Sequence, residues 1–165
     1  MRICELFESS IEIDGDNEET EDLIELLQRS RWKILVKNSI IKIFGQMYPE
    51  VKVSVKNTQD GWLEVSTGSG YYQNNPDNEF VATIFGPDAH IGIDGKRYAG
   101  LGFESVEAGK YKGVVSKLLA EIVPIIAKKI NASPAIVIVM NDESGGAWQN
   151  MASKLGWPYI DETNT

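Results

Sequence analysis

The feature that most constrains the fold is a change in hydrophobic period partway along the chain. From residue 51 to about 104, apolar side chains recur at every second position, as in "VKVSVKN" and "WLEVS". That alternation is the signature of strands with one buried face. "TQDG" separates the two runs, and Asp60-Gly61 is a tight-turn dipeptide, so they form a hairpin. "EFVATIF" is a further strand, and "HIGIDGKRYAGLGFESV" holds a second hairpin turning at Asp94-Gly95. The block predicts an antiparallel meander of about five strands.

The flanking segments have helical period instead. In residues 1–50, "DNEETEDLIELLQ" puts acids in a first turn ahead of Leu23, Ile24, Leu26 and Leu27. "WKILVKNSIIKIFGQM" continues the pattern, with a break expected at Asn38-Ser39 and an end at Gly45 and Pro49. After residue 107, Val115, Leu118, Leu119, Ile122 and Ile126 mark one face of a long helix, with Pro124 inside it. "AIVIVM" reads as a strand buried on both faces. "SGGAWQNMASKLG" reads as a short helix capped by Ser144 and stopped by Gly156, and "WPYI" as a closing strand. The expectation is one α+β domain over 1–165: helices in 1–50, antiparallel strands in 51–106, then helix, buried strand and helix in 107–160 around a mostly antiparallel mixed sheet.

Composition excludes several function classes. A net charge of -8 opposes the basic field that nucleic acid requires. One His (His90) and one Cys (Cys4) leave no His/Cys set for zinc and no internal disulfide. "DGDNEE" opens like a calcium loop but has Glu19 where that loop needs Gly, so no metal site is expected. No apolar run reaches the length of a membrane span, and no leader is evident, so a cytoplasmic protein is expected. A homodimer is compatible with this composition.

The order of elements is strand, glycine loop, long helix, buried strand, short helix and "SKLGW" at 153–157. With "KYKGVVSKLL" at 110–119, this order resembles the GNAT superfamily, the Gcn5-related N-acetyltransferases. The family signature is Gln or Arg, two residues, Gly, one residue, then Gly or Ala. Here Lys110, Gly113 and Val115 take those positions. The family often has a Tyr four residues before the glycine of its "LGF"; here that residue is Ala152. The resemblance in element order runs along the whole chain, and the matching residues lie between about 100 and 157.

The resemblance implies acetyl-CoA as co-substrate and an amine of a small molecule or protein as acceptor. It implies main-chain contacts to the pantetheine arm at Val106 and Ala108. Pyrophosphate would sit on the amides near Gly113 and Val115, with Lys110, Lys112 and Lys117 balancing its charge. Glu104 is then the candidate base. Ser144 and Tyr111 are candidates for the missing acid. Each also has a plain structural reading: Glu104 as a solvated strand residue, Ser144 as a helix cap, Tyr111 as a packing aromatic. A second expectation is a GNAT-like domain used for binding or assembly without catalysis. The opening "MRICELFE" resembles the starts of small proteins of large tailed phages, which suits an accessory role. A third is an unrelated α+β fold in which the glycine loop binds nothing.

Overall fold

A computed structural model describes residues 13, 17–67, 79–138 and 145–161. In chain order the elements are α1 (Glu18–Gln28), α2 (Trp32–Met47), β1 (Ser54–Asn57), β2 (Leu63–Ser66), β3 (Val81–Ile91) and β4 (Arg97–Glu107). α3 (Val114–Lys128), β5 (Ser133–Pro134), β6 (Ile136–Ile138), α4 (Gly145–Leu155) and β7 (Tyr159–Asp161) follow. The fold is α+β. One sheet has the order β1-β2-β3-β4-β5, antiparallel except for the parallel β4–β5 pair, and β6 and β7 form a separate parallel pair. Ser144, the loop "GSGYYQNNPDN", "MRICELFE" with Cys4, and the end of "AIVIVM" lie outside the described residues.

The N-terminal helices start where the sequence allows. Asn17 is extended, and its Oδ1 accepts from the Thr20 N–H at 2.9 Å, with Glu18, Glu19 and Glu21 in the first turn. The break falls at 29–31, and α2 runs straight through Asn38-Ser39. Val36, Ile40, Ile43 and Phe44 are all buried on its inner face. That burial outweighs the few tenths of a kcal/mol by which Asn and Ser disfavour a helix (~0.5 each). Gly45 is likewise inside α2, and the helix ends at Met47, ahead of Pro49.

The sheet has four antiparallel strands rather than five, because β3 and β4 are each 11 residues long and form one continuous hairpin. The expected end of β3 at Phe85 was set by Gly86-Pro87, and the strand continues past them to Ile91. A register step at Phe85 explains this: the strand is bulged just before its proline, where a ladder bond is already lost. Leu63, Val65, Ala82, Ile84, Leu101 and Phe103 of the sheet join the buried faces of α1, α2 and α3 in one core. Lys42 of α2 pairs with Glu121 of α3 on the outside of that layer.

Of "AIVIVM", Ile136–Ile138 form the strand β6, with Ile136 and Val137 buried. Ser133 and Pro134 pair with Tyr98 and Ala99 of β4, and Ala135 N–H donates to the Ala99 carbonyl at 2.9 Å. From Ile136 onward the chain pairs with β7 instead. Pro124 sits inside α3, and the helix holds from Val114 to Lys128.

Candidate functional site

The site begins with how β4 ends. Thr83 pairs with Ser105 while the next residue, Ile84, pairs with Phe103, so Glu104 is an extra residue in β4. Such a bulge bends and twists its strand. On its other edge β4 keeps a ladder partner only at Tyr98 and Ala99 among the described residues. At Gly100 the neighbouring chain is still close: a Cβ there would lie 2.7 Å from the Val137 side chain and 2.8 Å from the Ala135 carbonyl. Farther along, the Phe103 ring meets the indole of Trp148 on α4, with ring centroids 5.5 Å apart. Among the described residues β4 has no ladder partner on this edge past Ala99.

The chain then turns into α3. Tyr111 N–H donates to the Ala108 carbonyl at 2.9 Å, and the Tyr48 hydroxyl donates to the Lys112 carbonyl at 3.2 Å. Gly113 caps α3 with φ +87°, a left-handed conformation that only glycine takes without strain. No side chain caps this helix end. Its first N–H groups point out of the helix without an intrahelical acceptor.

Between the end of β4, this loop and α4 lies an open cleft of about 460 Å³. Val106, Ala108, Tyr111, Lys112, Gly113 and Val115 line one side of it. Ser116 of α3 and Ala147, Trp148, Asn150, Met151 and Lys154 of α4 complete it. The walls are mainly apolar, and among the described residues they include two lysines and no carboxylate in a chain with 24 acids and 16 basic residues. The combination of an apolar body, a cationic rim and open helix-end amides suits a ligand with an apolar stem and an anionic head.

The fold thus brings together five of the six residues assigned to cofactor contact. Lys110 is exposed beside the cleft, with its Nζ 5.5 Å from the centroid of the Tyr111 ring. Val115 is buried and forms wall without filling the space. Tyr111 lines the cleft, but its ring is 5 % exposed and packs edge-on against Phe44 and Tyr48 at 5.7 and 4.9 Å. Glu104 is half-buried on the bulge and does not line the cleft. Ala152 is 1 % exposed in the core. His90 is buried in β3 with Nε2 3.3 Å from Asp88 Oδ2, and it too is outside the lining.

The α4 wall was not anticipated from the sequence, although 147, 150/151 and 154 recur at helical spacing and mark one face. Among the described residues, no three His, Cys, Asp or Glu side chains converge as a metal set, and no helix is long and apolar enough to cross a membrane. Comparison with known protein families, with curated proteins and with solved structures finds no match.

Proposed function

We propose that this chain is a GNAT-like domain that binds an acyl-coenzyme A and transfers its acyl group, in the simplest case acetyl, to an amine of a small molecule or protein. One observation carries the reading. A cleft with a mainly apolar body lies beside the end of a bulged strand, and an uncapped helix start and two lysines face it. The amides of Val114, Val115 and Ser116, with Lys112 and Lys154, suit the pyrophosphate. Main-chain groups of Val106 and Ala108 suit the amide-bearing arm. In the transfer, the amine nitrogen bonds to the thioester carbon as the carbon–sulfur bond breaks. Glu104, on the bulge outside the cleft lining, takes the amine proton through water, and Tyr111 returns one to the thiolate.

A second reading is a GNAT-like domain that binds without catalysis, in assembly or as an accessory protein. It is favoured by Ala152 at the position of the family's tyrosine and by the packing of Tyr111 between two rings. Calorimetric titration with acetyl-CoA tests both. Ser116→Glu is the control variant, because Glu is welcome in the first turn of a helix while its charge opposes a phosphate there. The acyltransferase reading expects a Kd of roughly micromolar order, weakened about tenfold or more in the variant, and thiol release with an amine present. Binding without thiol release across a panel of amines supports the second reading. No heat up to about 1 mM with folded protein overturns the acyltransferase reading and leaves assembly with a protein partner.

A further inference from the structure

We infer that the α1–α2 corner is a self-complementary surface on which a second copy of this chain docks about a two-fold axis. α1 presents Glu18, Glu21 and Asp22 to solvent, and none of them has an ion-pair partner among the described residues. Glu25 and Glu19 are taken by Arg29 and Arg97. Directly after the break at 29–31, the start of α2 presents Arg31, Lys33 and Lys37, also without ion pairs among the described residues. Arg31 and Lys33 at the positive end of a helix, with no acid in its first turn, oppose the helix dipole, and Lys37 extends the same charge one turn further. Such an arrangement is relieved by an anionic partner.

The basic side is concave. A groove of about 520 Å³ runs between the start of α2 and strands β1 and β2, lined by Arg31, Lys33 and Lys37 together with Gln28 and Asn57, and among the described residues by no carboxylate. The acidic side has a smaller hollow of about 310 Å³ lined by Asp22, Leu26 and the Glu25–Arg29 ion pair. Leu26 and Ile34 flank the junction and are 53 % and 52 % exposed, among the most exposed large apolar side chains described.

Adjacent patches of opposite sign with apolar residues between them meet the geometric requirement of an isologous pair. A two-fold axis through the junction sets the acids of each copy on the cations of the other and brings Leu26 and Ile34 to the centre. A nucleic-acid occupant would have to approach the acidic stripe of α1 alongside the groove. The surface is separate from the cleft, because α2, with 16 residues, is about 24 Å long and touches the cleft loop only at its far end.

The test is sedimentation of the whole chain across concentration and salt, with two charge-swap variants checked for folding by circular dichroism. Wild type is expected to reach twice the mass of the chain, with dissociation rising about tenfold or more between low and high salt. Arg31→Glu/Lys37→Glu has two acidic patches, Glu21→Lys/Asp22→Lys has two basic ones, and each alone is expected to be monomeric. An equimolar mixture is expected to restore the dimer, because both contacts are then attractive. Wild type that stays monomeric at every concentration overturns the inference. So does a dimer that persists in either variant alone, or a mixture of folded variants that stays monomeric.

Discussion

Trp148 lays its indole against the ring of Phe103, with centroids 5.5 Å apart and planes tilted by 39°. The contact ties α4 to the part of β4 that has left its ladder neighbour, so a side-chain pair holds the two together where backbone pairing stops. Both residues are buried, at 8 % and 7 % exposure. Trp148→Ala should therefore cost about 3 kcal/mol in urea unfolding, the lower end for removing a large aromatic because one side already faces the cleft. Trp148→Phe, which keeps a ring against Phe103, should cost less than half as much.

Gly113 has a backbone reason to be glycine that is independent of any ligand. At φ +87° a Cβ costs about 1–2 kcal/mol, and the added atom would lie 3.3 Å from Met47 Cε. Gly113→Ala should lower the melting temperature accordingly. Gly113→Asn should lower it less, because Asn tolerates the left-handed region. Equal losses in the two would place the cost in crowding against Met47 rather than in the backbone.

Pro124 is exposed inside α3, where it leaves the carbonyl of Ala120 without an amide donor and fills no core space. Pro124→Ala should stabilise the protein by about 1–3 kcal/mol, seen as a higher urea midpoint with an unchanged slope.

Ser39 is 4 % exposed in α2, and its Oγ has no hydrogen-bond partner. Ser39→Ala removes a buried unpaired hydroxyl and improves helix propensity, so a gain of up to about 1 kcal/mol is expected. A clear loss in thermal melting would show that the hydroxyl is satisfied in solution.

Burial, and then the nearby Asp94 carboxylate, push the ionisation of the Tyr98 phenol above its ordinary value. The folded state then holds this proton more tightly than the unfolded chain does. Below pH about 10 both states are protonated and stability is unaffected by this group; above it, stability falls until the folded phenol also ionises. Tyr98→Phe should flatten that alkaline decline in denaturation curves taken across the range. A wild-type curve already flat above pH 10 would contradict the shift.

The sequence was informative where side-chain period and turn chemistry act locally. Asp60-Gly61 and Asp94-Gly95 mark both hairpins, the acids Glu18, Glu19 and Glu21 mark the first turn of α1, and Gly156 at φ +73° ends α4. It misled where tertiary packing overrides local preference, as at Asn38-Ser39, or where a bulge lets a strand carry a proline, as at Phe85 to Pro87. Much of one cleft wall was legible because Val106, Ala108 and the residues through Val115 are contiguous with a glycine at a helix start. Trp148 and Lys154 were not, since their place in the cleft depends on how α4 returns against β4, which no local spacing encodes.

The extra residues at Glu104 in β4 and Phe85 in β3 offset one another, so that Gly86 again faces Gly102 in the register that Thr83 and Ser105 began. The hairpin thus absorbs two insertions with no net slip. Deleting Glu104 alone would close its bulge: Ser105 would follow Phe103 directly, still opposite Thr83, and Val106 would keep Ala82 as its partner and keep its face. A missing residue at this position would leave the inside and outside of the wall as they are and remove the bend in the strand that carries it.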